Sequence, residues 1–126
     1  MKIQEIQPNQ QSFGTKVKFE PKVIQMIQSE SASLGRSVLK QARTLSHNRN
    51  NDYLYVFNRI DANNIPQVAV SALEKSGDKI LVSGRETYSD ISDSLNLIDM
   101  YNQVKEHMYE QYNDKNGIGK FLSFLV

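Results

Sequence analysis

The sequence predicts an α+β fold with the element order β-α-β-β-β-α: an antiparallel sheet of three to four strands with two helices packed on one face. Two observations support this prediction. Residues 67–86 alternate apolar and polar side chains around a glycine-containing turn, and residues 91–112 repeat apolar side chains at helical spacing. The 126 residues suffice for one hydrophobic core. We therefore expect a flexible tail over residues 1–12 and a single domain over residues 13–126 that ends in an apolar C-terminal tail.

The first half of the chain predicts a short strand followed by helix. Residues 1–12 are rich in Gln and Asn and hold few apolar side chains, which is typical of a flexible terminus. Residues 15–19 alternate and favour a strand at the sheet edge, where lysines discourage unwanted pairing. Pro21 suits a first helical turn. The helical stripe that follows consists of Val23, Ile27, Leu34, Val38 and Leu45.

The middle of this helical segment is weak. Serines and a glycine crowd residues 29–35, and both residue types disfavour a helix interior. Two alternatives stay open: one helix over residues 21–47, or two helices broken near Gly35. The stripe keeps its phase across the weak region, which favours one helix.

The second half predicts three strands and a final helix. Residues 46–52 form a loop, and residues 53–60 (YLYVFNRI) have the strongest β propensity in the chain, as in a central strand. Residues 61–66 carry turn chemistry, and two alternating runs within 67–86 then form a hairpin.

The last helix is expected to begin near residues 90–93, where Ser and Asp side chains can cap it. Its apolar stripe contains Ile91, Leu95, Leu97, Ile98, Tyr101, Val104, Met108 and Tyr112. Lys105 is assigned to the opposite, polar face, beside Asp99, Glu106 and Glu110. Because such a stripe must be buried, we expect this helix to pack on the hairpin.

Composition excludes several classes of function. The chain has no cysteine, which excludes disulfides, thiolate catalysis and Cys-ligated zinc. Its first residues lack the apolar core of a signal peptide, and no apolar run is long enough for a membrane span. We expect a cytoplasmic protein of bacterial type with no membrane partner, although a removed leader would leave no trace.

No motif indicates catalysis. His47 and His107 lie on different predicted elements without the spacing of a metal-ligand set. The sequence contains no nucleophile elbow, dinucleotide loop or Walker motif. We predict no catalytic residue, metal, cofactor or small-molecule ligand. An enzyme that uses a diffuse carboxylate site is the weakest of three functional hypotheses, after the two binding functions given below.

Basic side chains are concentrated in the first half. Residues 1–50 hold eight Lys and Arg against three Asp and Glu, a net charge of +5, and residues 51–126 hold seven against eleven, a net charge of −4. Arg36, Lys40, Arg43 and His47 are spaced by four, three and four residues, which places them on one helix face, and Lys22 points the same way. This face predicts an anion- or RNA-binding surface, or simply solvated polar cover.

The C-terminal segment 121–126 (FLSFLV) is almost entirely apolar. Phe121, Leu122, Phe124 and Leu125 either dock on the domain itself or bind a partner or a second copy of the chain.

Over residues 15–112 the predicted element order resembles that of ribosome hibernation promoting factors, and its α-β-β-β-α part resembles double-stranded RNA-binding domains. The resemblance implies RNA binding, but it covers element order alone and transfers no site residue. The acidic last helix departs from the basic one of those modules.

We predict a small non-enzymatic binding or assembly module that acts through protein–protein contacts, using its apolar tail or tyrosine-rich sheet. The alternative is an RNA- or ribosome-binding protein that uses the basic face of the first helix.

Overall fold

A computed structural model describes residues 14–76, 78–83 and 85–115. The fold is mixed α+β, with five strands and three helices in these ranges. The elements are β1 (Gly14–Phe19), α1 (Pro21–Glu30), α2 (Ala32–Ser46), β2 (Asn51–Ile60), β3 (Pro66–Ser76), β4 (Lys79–Val82), β5 (Thr87–Asp90) and α3 (Leu97–Lys115). None of these helices combines the length and apolar character that a membrane crossing requires. The predicted tail over residues 1–12 and the apolar residues Phe121, Leu122, Phe124 and Leu125 lie outside the described residues.

The sheet is mixed, so the prediction of a purely antiparallel sheet was wrong. β1 occupies the edge and pairs in parallel with β2, whereas the other pairings are antiparallel. The cause is the connection: two helices separate β1 from β2, and such a crossover returns the chain to the end of the sheet where β1 started. β4 and β5 both pair with β3, so the sheet is four strands wide.

The predicted strand within residues 79–86 is shorter than expected, and an unpredicted strand, β5, follows it. Ser83 explains the interruption, because its Oγ accepts a hydrogen bond of 2.9 Å from the Ala72 N–H and lies 2.8 Å from Ser71 Oγ. At the end of β4, the Ser83 side chain thus accepts the hydrogen bond of the Ala72 N–H in place of a backbone carbonyl. The chain then pairs with β3 again as β5, Thr87–Asp90.

The last helix begins at Leu97, so the predicted start near residues 90–93 was wrong. Gln41, on α2, sets the start: its Oε1 accepts hydrogen bonds from the backbone N–H groups of Leu97 and Ile98. Its Nε2 donates to the Leu95 carbonyl at 3.3 Å. A side chain from another helix therefore satisfies donors that have no partner within the first turn of α3.

The first helical segment is two helices, so the preference for one helix was wrong, and the break lies at Ser31 rather than near Gly35. Ser31 is extended, with φ of −173°, and its Oγ accepts a 3.0 Å hydrogen bond from the Leu34 N–H as the N-cap of α2. The same hydroxyl donates to Asp93 at 2.7 Å. The Ser31 side chain therefore links the junction of α1 and α2 to the segment that leads into α3.

All three helices pack on one face of the sheet, which we call the inner face. Val23, Leu34, Leu54 and Val104 are fully buried in its single core. Gly14 fixes the start of β1 against the end of α2: its φ is +100°, and a Cβ there would lie 2.0 Å from the Ser46 carbonyl oxygen. Only glycine fits this position.

Candidate functional site

The inner face contains a buried polar cluster at the N-terminal end of β2. The carboxylate of Asp52 is completely buried. Its Oδ1 accepts a hydrogen bond of 2.6 Å from Thr15, which faces it across the β1–β2 pair. Its Oδ2 accepts bonds of 2.7 Å from the Tyr101 hydroxyl and 2.6 Å from Lys105 Nζ, both on α3. Three elements thus converge on one carboxylate.

A second layer of polar groups completes the cluster. Lys105 Nζ also lies 3.3 Å from Glu74 Oε1, and the Tyr109 hydroxyl donates to the same oxygen at 2.8 Å. Asn48 and Asn50 donate to the hydroxyls of Thr15 and Tyr101, at 2.7 and 2.6 Å. Because the buried charges are paired and hydrogen-bonded, the cluster avoids the large cost of an isolated buried charge.

The surroundings of Lys105, Tyr101 and Tyr109 raise the pKa values of all three side chains. Burial alone would lower the pKa of Lys105, but the hydrogen bond to Asp52 and the charge of that carboxylate outweigh it and raise the pKa above its usual range. Burial raises the pKa of Tyr101. Burial and then the hydrogen bond to Glu74 raise the pKa of Tyr109. Lysine stays charged and both phenols stay neutral, which suits a structural role rather than proton transfer.

Sequence reasoning missed this cluster. It placed Asp52 in a loop and Lys105 on the polar face of the last helix, whereas the Lys105 side chain is only 9% exposed. The spacing of Tyr101, Lys105 and Tyr109 at four-residue intervals was the available signal, because it puts all three on one helix face.

No helix among the residues that the structure describes covers the opposite side of the sheet, which we call the outer face. The strand register arranges its side chains in rows: the first is Lys16, Tyr53, Leu73 and Val82, the second is Lys18, Tyr55 and Ser71, and the third is Phe57, Ala69 and Tyr88. Tyr55, Ile80, Val82 and Tyr88 are 40%, 57%, 54% and 48% exposed. The Tyr53 and Tyr55 rings stack with centroids 6.2 Å apart.

One end of the outer face is closed by its own side chains. The Arg59 guanidinium lies 4.5 Å from the Tyr88 ring centroid and forms an ion pair with Glu86. These contacts join β2 to the β5 edge, and Ala69, on β3 between them, is fully buried. The open part of the outer face is therefore centred on Tyr55 and Val82.

The predicted basic residues divide into two places. Arg36, Lys40, Arg43 and His47 are all exposed along α2 and its C-cap, and we call them the basic row. α2 contains no acidic residue, and none of the three Lys and Arg side chains forms an ion pair with any residue in the described ranges. Lys22 lies elsewhere, in a cleft of about 480 Å³ that α1 forms with Asp90 and Ile91.

A smaller apolar groove of about 280 Å³ lies between α1 and α2 at the end of β1. Its lining consists of Phe19, Ile24, Ile27, Gln28, Gly35, Val38 and Leu39. Ile24 and Leu39 are 41% and 53% exposed, and the lining carries no charged side chain. We call this feature the helix groove.

The structure also bears on metal binding. Among the residues it describes, no group of three or more His, Cys, Asp or Glu side chains could hold a metal ion. His107 Nδ1 is buried without a hydrogen-bond partner, as is Thr87 Oγ1.

The chain matches no protein-family model, no curated protein and no solved structure.

Proposed function

We propose that this protein is a non-enzymatic assembly module whose outer sheet face binds the outer face of a second copy of the chain. The observation that carries the proposal is the uncovered cluster of tyrosine and aliphatic side chains on that face. Tyr55, Ile80 and Val82 are each at least 40% exposed and adjoin Tyr53 and Leu73. Contiguous exposed apolar side chains with a polar rim are typical of protein interaction surfaces.

The outer face is self-complementary about one two-fold axis, which runs parallel to the strands between β2 and β3. This axis places β1 of one copy over the β4–β5 edge of the other, and β2 over β3. Tyr53 then faces Leu73, and the large Tyr55 faces the small Ser71. Apolar side chains and side chains of complementary size therefore meet.

A two-fold axis across the strands gives the opposite result. The β1 strands of the two copies would then lie over each other in opposite directions, so the Lys16–Lys18 segments of both copies would meet, and the aromatic side chains of β2 would meet each other. Facing like charges are unfavourable in an interface. The axis along the strands is therefore the one we propose.

The available area predicts a weak dimer. Four strands about 4.8 Å apart, and seven residues of β2 at about 3.3 Å each, give a face of roughly 20 Å by 20 Å. This area of roughly 400 Å² is about half of the 800 Å² per partner that is usual for specific interfaces. We therefore expect weak, reversible dimers that form at high protein concentration.

Sedimentation velocity over a concentration series tests the dimer. Wild type should shift from monomer to dimer as concentration rises, and Val82→Glu should stay monomeric because the charge would be buried in the interface. Ile65→Glu is the matched control, since Ile65 is 49% exposed in the β2–β3 loop, away from the outer face. A wild-type monomer at the highest concentration would overturn the proposal.

Thiol-specific cross-linking tests the axis, because the chain has no cysteine of its own. Facing sheets lie about 10 Å apart, which is too far for a direct disulfide but within reach of a short bis-maleimide linker. A mixture of Tyr55→Cys and Ser71→Cys chains should therefore be joined by this linker, since the proposed axis places these positions opposite each other across the interface. Lys18→Cys alone should not cross-link, because two copies of position 18 approach each other only about the rejected axis.

A further inference from the structure

We infer that the helix groove and the basic row together form a docking site for an acidic, amphipathic segment of a different protein. This surface lies on the helical layer, on the other side of the molecule from the outer sheet face. The inference is independent of the proposed dimer, since either surface can be removed without touching the other.

The groove supplies the apolar half of the site. Its volume of about 280 Å³ is bordered by two exposed aliphatic side chains, Ile24 on α1 and Leu39 on α2. Gly35 has no side chain to fill the groove from the α2 side. A Cβ at this position would enter open space, since it would meet no other atom within 4 Å. A groove of this kind accepts apolar anchors from one face of a bound helix or peptide.

The basic row supplies the charged half. At about 100° per residue, Arg36, Lys40 and Arg43 follow directly around α2 from Gly35 and Leu39, which places them along the solvent side of the groove. No carboxylate among residues 14–75, 78–83 and 85–110 forms an ion pair with them. Carboxylates beside the apolar anchors of a partner would meet these three cations.

The chain itself offers no suitable occupant. Residues 1–13 contain one glutamate and one lysine, and residues 116–126 contain Lys120 and no Asp or Glu. In a second copy, Asp99, Glu106 and Glu110 are exposed on α3, but the apolar side chains of that helix are buried in the core. A different protein is therefore the occupant that both halves of the site fit.

Nucleic acid fits the site less well. A polyanion would use the basic row and leave the apolar groove unoccupied, and the whole chain carries a net charge of only +1. The two interpretations make different predictions for Leu39, which matters only when an apolar anchor enters the groove.

Fluorescence anisotropy with defined probes tests the inference. The main probe is a labelled synthetic helix of about 14 residues, four turns, with Leu on one face and Glu on the others. Two control peptides replace every Leu by Ser, or every Glu by Lys, and a labelled single-stranded U20 RNA is the polyanion probe. We expect the acidic amphipathic peptide to bind at least about tenfold more tightly than either control peptide.

Variants of the protein locate the site. Leu39→Ser, and separately the combined change of Arg36, Lys40 and Arg43 to Gln, should each weaken binding of the acidic amphipathic peptide about tenfold or more. Ile65→Ser and Lys75→Gln, which change exposed side chains elsewhere, should have no effect. Circular dichroism confirms that each variant is folded.

Three results would overturn the inference: no binding of the acidic amphipathic peptide, equal binding of the Leu-to-Ser control peptide, or unchanged affinity in Leu39→Ser. If U20 binds, loses affinity in the triple variant and is unaffected by Leu39→Ser, the basic row is a nucleic-acid site instead. None of these results bears on the dimer, which depends on the outer sheet face.

Discussion

Two groups of cations in this molecule have opposite surroundings. Lys105 projects from α3 toward the sheet, where its ammonium forms an ion pair with Asp52 and lies close to Glu74. The rings of Tyr101 and Tyr109 flank it. The basic row lies on α2 in full contact with solvent and without a carboxylate partner in the described part of the chain. The comparison separates charges that stabilise the fold from charges that are available to a ligand, because only a buried charge requires its partners to be built in.

The largest expected effect comes from Lys105→Met. The substitution leaves the Asp52 carboxylate buried without its cation, which typically costs about 3–5 kcal/mol. Urea unfolding measures the loss, and Lys40→Met on the exposed row is the matched control, with an expected change below about 0.5 kcal/mol. Similar stabilities for the two variants would remove the distinction between the two groups.

Removing both charges should be less harmful than removing one. In the double variant Asp52→Asn with Lys105→Met, no uncompensated charge remains at position 52, and the Thr15 and Tyr101 hydroxyls can still bond the amide. We expect the double variant to regain about 1–3 kcal/mol relative to Lys105→Met. The coupling energy between the two side chains exceeds this gain by the cost of Asp52→Asn alone. Strictly additive losses in a double-mutant cycle would show that the two side chains do not act as a pair.

Alkaline pH should reduce the difference in unfolding free energy between wild type and Lys105→Met. Because the folded pKa of Lys105 is raised, its contribution to stability is fully present below the unfolded value of about 10.4 and is lost as pH rises toward the folded pKa. Urea unfolding of both proteins at neutral pH and near pH 11 checks this sign. A difference in stability that is constant over this range would mean that the charge on Lys105 does not contribute.

The smallest effect is expected on the basic row. Arg36, Lys40 and Arg43 are three or four residues apart, so their like charges repel by a few tenths of a kcal/mol per pair. Changing all three to Gln should leave the free energy of unfolding unchanged or raise it by less than about 1 kcal/mol. A destabilisation of several kcal/mol would show that the row belongs to the fold and not to a ligand site.

The sequence predicted local features of the fold better than their connections. The α+β class and the exposure of the basic row follow from periodicity, and the strand that contains Tyr55 follows from β propensity; both are properties of neighbouring residues. The parallel pairing of β1, the bond from Ser31 to Asp93 and the gap filled by Ser83 depend on contacts between distant segments. Such contacts leave no local pattern.

The candidate sites show the same limit. The basic row could be predicted because helical spacing alone defines it, but the groove beside it requires the relative placement of α1, α2 and Phe19. The Asp52 cluster joins residues 37 to 53 positions apart, so the spacing of its three α3 residues was visible in the sequence but their bonds to Asp52 were not.

The parallel pairing of β1 also has a consequence for the order of folding. Thr15 and Asp52 are 37 residues apart, whereas Ile60 pairs with Pro66 across a short turn. Closing a long loop costs more entropy than closing a short one, so β2 and β3 should associate first, and β1 should join the sheet after them. In pulse-labelled hydrogen exchange, the amides of β1 would then gain protection after those of β2 and β3, and Asp52 would wait for one of its hydrogen-bond donors until that final step.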